Sequence, residues 1–287
     1  MLLDKFNRAI RELSIEPSAV DFFNAQNGKS NVVKSLLHTD DLVRFVKALA
    51  FIGVNHVSLE DKEPFARDDI FYLLRAIART KEIKTISLTT NGHYLSQNID
   101  KIKKLQLNKV QVVLPTVNKT IYNQLSSSDI FDKVIDGILK SKSSKINVSI
   151  LSYIESNLNS NEIEPLIEFA VDNKIDISFE ELIKKDNVPS VLPRYKEIIS
   201  KLQLTPIGEN SFKDKSSNIT ISFETVQTLK CQLCTKIWVT NNGKVELCKK
   251  VGDYSIDLEA FFSQDPTDGD LIDLATKIPL NKPLTVD

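Results

Sequence analysis

Asp40–Leu59, DDLVRFVKALAFIGVNHVSL, decides the fold. Asp40–Ile52 places Leu42, Val43, Phe45, Val46, Leu49 and Ala50 at helical spacing, behind a Thr39/Asp40 cap. Asn55–Leu59 then reads as a short strand. The same alternation runs outward in both directions. Strands are expected at Glu12–Glu16, Lys84–Thr89, Lys109–Leu114, Lys145–Leu151 and Asp176–Glu181. Helices are expected at Asp68–Thr80, through Ile70, Leu73, Leu74 and Ile77, and at Asp129–Ser141. Another is expected at Asn161–Asn173, capped by Asn161 or Ser160, with Glu162 and Glu164 in its first turn. Strand–helix units in succession predict an α/β fold with a parallel sheet, curved into a partial, TIM-like (β/α)6 barrel.

After Leu182 the rhythm changes. Lys184–Pro193 is polar and holds Pro189 and Pro193, the composition of a linker. A helix near Leu192–Leu202 follows, then β-prone Ile219–Glu224, helical pieces at Asp257–Phe262 and Asp270–Thr276, and an extended tail from Pro279. The division falls near Ile183: residues 1–183 form the barrel, and residues 184–287 form a smaller cysteine-hairpin module.

That module carries every cysteine of the chain, Cys231, Cys234 and Cys248, within KCQLCTKIWVTNNGKVELCK, Lys230–Lys249. Cys231 and Cys234 form a C-x-x-C knuckle. Asn-Gly between two β-prone runs then predicts a hairpin that folds Cys248 back toward it. Three thiolates without an obvious fourth ligand describe a metal or cluster with one open position. Zinc and an iron–sulfur cluster suit the pattern equally, since both take soft thiolates. Buried structural cysteines and a Cys231–Cys234 disulfide are the weaker alternatives.

The composition, 41% hydrophobic and 26% charged, is that of a soluble globular protein, and a net charge of −1 gives no case for nucleic-acid binding. No apolar run has the length of a membrane span, and the charged N-terminus, MLLDKFNRAIREL, lacks a signal-peptide core. A cytoplasmic protein is expected. In a parallel barrel the working residues lie at the C-terminal strand ends. Those ends carry Glu60 to Pro64, Thr89-Thr90-Asn91-Gly92 and Glu180-Glu181. The Thr90 and Asn91 stretch reads as a ligand-binding loop or, more simply, as a polar turn leading into the next helix. His38, His56 and His93 are scattered and read as surface or satisfied residues.

Together these pieces resemble the radical S-adenosylmethionine (SAM) enzymes that act as GTP 3′,8-cyclase in molybdenum-cofactor biosynthesis. The resemblance is carried by Asp4-Lys5-Phe6-Asn7-Arg8, by Gly53 through Pro64 with Arg67-Asp68, by Thr89–Gly92, Asn147, Glu168–Ala170 and Phe179-Glu180, and by Lys282-Pro283. The C-x2-C-x13-C spacing of Cys231, Cys234 and Cys248 is its most specific part. It implies a barrel of the radical SAM type and a four-iron four-sulfur (4Fe-4S) cluster on those cysteines, with an open iron facing the substrate.

The departures are as informative. The family's C-x3-C-x2-C, which holds the SAM-cleaving cluster, falls here on Asp21, Ala25 and Gly28. Without thiolates no cluster forms there, so no SAM binding is expected. The family's Gly-Gly-Glu-Pro reads Asp61-Lys62-Glu63-Pro64, and its Asn-Arg-x-Arg reads Thr235-Lys236-Ile237-Trp238. Lys236 alone keeps a positive charge of that set, whereas a triphosphate needs several. The expectation is a pseudoenzyme that retains the C-terminal cluster and binds a purine nucleotide, another small ligand or a protein partner through Thr90, Asn91 and Lys236. The alternatives are a zinc-stabilised or metal-free interaction protein, and an enzyme with SAM-independent chemistry on Glu60, Glu63 or Glu180.

Overall fold

The computed structural model describes residues 3–18, 20, 37–60, 63–105, 107–126, 128–154, 159–181, 190–224, 234–248 and 255–283. The first half alternates β1 (Glu12–Ile15), α1 (Thr39–Ile52), β2 (His56–Leu59), α2 (Ile70–Ala78), β3 (Thr85–Thr90), α3 (Leu95–Lys103) and β4 (Lys109–Val113). It continues with α4 (Lys119–Ser126), α5 (Phe131–Ser143), β5 (Val148–Ile154), α6 (Ile163–Asp172) and β6 (Asp176–Glu181). Beyond these come α7 (Leu192–Lys201), β7 (Thr205–Pro206), β8 (Ser211–Lys213), β9 (Thr220–Glu224), β10 (Lys236–Val239), β11 (Lys244–Glu246), β12 (Ser255–Asp257), α8 (Leu258–Phe262) and α9 (Asp268–Asn281).

All the described strands join one sheet in the order β12-β11-β10-β1-β2-β3-β4-β5-β6-β9-β8-β7. β10, β1 to β6 and β9 run parallel, and antiparallel hairpin strands extend both edges. The edges, β12 and β7, are not paired with each other, so the barrel is partial. Strands after residue 183 thus flank the six-strand unit on both sides: β9 against β6, and β10 against β1.

Period-2 alternation gives the sheet two unlike faces. Leu13, Val57 and Ile86 align across β1, β2 and β3 and are buried, as are Val110, Ile150, Ile177 and Ile221 further along. Against this face pack helices such as α1, whose Phe45, Val46 and Leu49 are fully buried. Each such side chain contributes about 1.5–3 kcal/mol. The opposite, inner face is polar: Trp238, Ser14, Ser58, Ser87 and Lys109 form one row across β10, β1, β2, β3 and β4. The serines of this inner face, Ser14, Ser58 and Ser149, are buried.

Several local expectations are corrected. Thr39 does not cap α1; His38 is the N-cap and makes no side-chain cap bond, while the Thr39 hydroxyl bonds Asp69 and Arg67. Neither Asn161 nor Ser160 caps α6, because a 3₁₀ turn over Ser160–Glu162 precedes it. The tail is helical to Asn281: Pro279 lies inside α9 and forfeits one backbone N–H bond there, but the buried Leu271, Ala275 and Ile278 anchor that helix. Most of the expected linker, Lys184–Pro193, lies outside the described residues.

Candidate ligand chamber and cysteine site

Glu63 ties the C-terminal ends of β2 and β3 together. It is 1% exposed and caps a 3₁₀ turn at Pro64–Ala66. Thr90 Oγ1 donates to both of its carboxylate oxygens at 2.9 Å, the Asn91 N–H donates at 2.7 Å and the Phe65 N–H at 3.2 Å. Burial nevertheless outweighs these donors and pushes its pKa from 4.5 up to about 7. Gly92, at φ +82°, turns the chain below this knot, where a Cβ would lie 2.8 Å from Val112 Cγ1. Thr90 and Asn91 are therefore buried and committed to Glu63 and to the local turn, with Asn91 Oδ1 accepting from the His93 N–H at 2.9 Å. Both residues also build the turn that leads toward α3.

Inside the chamber the charged residues form two groups. On one wall Lys236 Nζ meets Glu12 at 3.1 Å and pairs with Glu60, which also accepts from Ser14 Oγ at 2.5 Å. Burial alone would lower the Lys236 pKa, but Glu60 and Glu12 hold it above its ordinary value. His56 joins the same wall: its Nδ1 bonds Thr85 and its Nε2 lies 3.8 Å from Glu12. On the other wall Lys109 faces Asp176, Glu180 and Glu224; burial lowers its pKa against the pull of those three carboxylates. Lys236, expected to meet a ligand, is brought into the chamber yet is already matched by carboxylates.

The opposite end holds the cysteines. β10 and β11 form the expected hairpin, with Gly243 at φ +77° in its turn. Because β10 runs parallel to β1, Cys234 just before it lies at the N-terminal end of the barrel, whereas Glu63, Thr90 and Asn91 lie at the C-terminal end. Some seven residues of strand separate the two ends, ~20 Å at the rise of an extended chain. Cys234 and Cys248 are half-buried free thiols. Between the segments that carry them stands Lys282, 1% exposed, whose Nζ donates to the Lys236 and Leu247 carbonyls, each at 2.6 Å. Burial lowers its pKa, against the upward pull of the Cys234 and Cys248 sulfurs nearby. Cys234 and Cys248 thus both lie near one buried ammonium group, and their sulfurs are the donor type that a metal or cluster takes. Cys231, Asp21, Ala25 and Gly28 lie outside the described residues, and among the described residues no three metal-binding side chains converge.

Sequence reasoning missed Lys282 as part of the cysteine site. It also missed Lys109 with its acidic partners. Strand alternation offered a signal for Lys109, Asp176 and Glu180, but only the register places them around one space.

Comparison with known proteins fits this geometry. The radical SAM superfamily model matches residues 23–170, about half of the chain. The chain belongs to the radical SAM superfamily. Within it, the GTP 3′,8-cyclase of Clostridium perfringens (strain 13 / Type A) is 27% identical over 86% of this chain and 81% of its own length. A probable GTP 3′,8-cyclase of Sulfurisphaera tokodaii is 25% identical over 90% of this chain and 87% of its own. The chain is thus a GTP 3′,8-cyclase-like member of the superfamily. Among solved structures, SuiB of Streptococcus suis superposes with a TM-score of 0.67 at 18% identity, covering 98% of this chain and 68% of that one. The protein anSMEcpe, solved with bound AdoMet, gives 0.58 at 18% identity, covering 93% and 84%. These two support the partial barrel. Among the described residues no helix is long and apolar enough to cross a membrane.

Proposed function

We propose that this radical SAM superfamily member has lost reductive SAM cleavage and acts in the cytoplasm as a ligand-binding protein with one C-terminal 4Fe-4S cluster. The observation that carries the proposal is the placement of cysteine. The chain has three, all between residues 231 and 248, and the positions where the family's SAM cluster would be held read Asp21, Ala25 and Gly28. Carboxylate, methyl and hydrogen do not replace three thiolates around iron, so these residues do not fit that cluster. Asp61 and Lys62 add side chains where the resembling family has glycines for close approach to SAM.

At the other end, Cys231, Cys234 and Cys248 would hold the cluster. When bound, it supplies an open iron that takes a nitrogen or oxygen donor from a ligand. The chain's own residues do the rest: Lys282 ties the segments bearing Cys234 and Cys248, and the polar inner face surrounds the ligand. A link to molybdenum-cofactor biosynthesis rests on the resemblance alone.

Anaerobic purification followed by iron, sulfide and zinc analysis tests the cluster. About four irons and four sulfides per chain are expected, lost when all three cysteines become serine. Stoichiometric zinc without iron would overturn it.

A further inference from the structure

We infer that this chain pairs with a second copy of itself, as a two-fold dimer, through the outer face where α1, α2, α8 and α9 meet. That face combines exposed apolar side chains with a basic groove and an acidic groove that adjoins it.

Among the described residues, four large apolar side chains are more than half exposed: Phe51, Tyr72, Ile207 and Leu280. Three of these stand on neighbouring helices, Phe51 near the end of α1, Tyr72 on α2 and Leu280 in the last turn of α9. Large apolar side chains grouped on an otherwise charged surface mark a protein contact.

The groove between α1 and α2 is basic. Arg44, Lys47, Arg75 and Arg79 line it against one carboxylate, Asp40, which already accepts from the Tyr72 hydroxyl at 2.9 Å. Lys47, Arg75 and Arg79 are exposed and make no ion pair among the described residues. Arg75 and Arg79 stand one turn apart on α2, where like charges repel until carboxylates are brought to them. The groove between α8 and α9 is acidic. Asp265, Asp270 and Asp273 line it against one cation, Lys277, which pairs with Asp273 at 2.6 Å.

The two grooves adjoin. Arg44 lines the basic one, and its guanidinium donates at 2.6 Å to the carbonyl of Pro266, which lines the acidic one. A two-fold axis through that contact lays the basic groove of one copy on the acidic groove of the other, and the reverse at the same time. The surface is self-complementary, as an isologous dimer requires. An unrelated acidic partner would satisfy the arginines but set its own carboxylates against Asp265, Asp270 and Asp273. Exposed ion pairs contribute little one by one, so the dimer is weak and salt-sensitive, with Phe51, Tyr72 and Leu280 supplying the rest.

Sedimentation velocity on the full chain, from low to high micromolar concentration at two ionic strengths, tests the pairing. A reversible monomer–dimer equilibrium is expected, weakened by salt, with no larger species, because a two-fold contact closes on itself. Arg75→Glu with Arg79→Glu, and separately Asp265→Asn with Asp273→Lys, should each raise the dimer dissociation constant at least about tenfold, since the symmetry counts every substitution twice. Phe51→Ala, which leaves all charges in place, should also weaken the dimer about tenfold. Mixing the two charge variants in equal amounts should restore the dimer, because each pair of facing grooves is then again opposite in sign; chains that had merely misfolded would not recover. A monomer at every concentration overturns the inference, as does a dimer that none of the variants weakens. Open-ended growth with concentration, or a mixture that stays monomeric, overturns it too.

Discussion

Lys282 and Glu63 show what single buried charges do at the two ends of this barrel. The Lys282 ammonium satisfies two peptide carbonyls on the separate segments that carry Cys234 and Cys248. In Lys282→Met those carbonyls lose their donor while remaining buried, so a loss on the order of 2–4 kcal/mol is expected in urea unfolding. Lys282→Arg should not restore it, because the larger, planar guanidinium does not fit a site shaped for a point charge. Glu63 behaves differently, for burial raises its pKa from 4.5 to about 7. A carboxyl that holds its proton more tightly when folded contributes stability that is complete below pH 4.5 and is lost as pH rises to about 7. The drop across that window should be on the order of 3 kcal/mol. Glu63→Gln, which has no proton to lose, should flatten that part of the stability–pH curve; an equal slope in the variant would show that other groups set it.

At the scale of elements, the barrel depends on helices gripping one face of the sheet and on turns that leave the other face open. Phe45→Ala in α1 empties a fully buried site and should cost about 3–5 kcal/mol. Gly92→Ala places a Cβ against Val112 and Val134 at positive φ, and a cost of about 1–3 kcal/mol is expected from thermal unfolding. β1 to β6, β9 and most helices were legible because their apolar residues repeat at 2.0 and 3.6, whereas the two- and three-residue strands β7, β8 and β12 are too short to show a period. α3 and α4 were not, since each buries only two residues, Leu95 and Ile102 or Tyr122 and Ser126, too few to print a period. The cysteine hairpin was legible from Asn-Gly and local spacing. Lys282 was not, because it reaches Lys236 across 46 residues of chain, a distance no periodicity records.

Taken whole, the molecule is an open, mostly parallel barrel whose two ends have separate fates. The C-terminal strand ends carry the Glu63–Thr90–Asn91 knot. The N-terminal end keeps a cysteine hairpin closed by a buried lysine. Between them, among the described residues, the inner face sets Lys236 against Glu12 and Glu60, and Lys109 against Asp176, Glu180 and Glu224. That charge balance was hidden in the sequence, where Lys109, Asp176 and Glu224 are far apart and only register brings them to one wall. The central claim is that the radical step has no starting point in this chain. Its most direct test is to reconstitute the protein anaerobically, reduce it, add SAM and quantify 5′-deoxyadenosine. No 5′-deoxyadenosine above a protein-free control is expected, and its accumulation over time would contradict the claim.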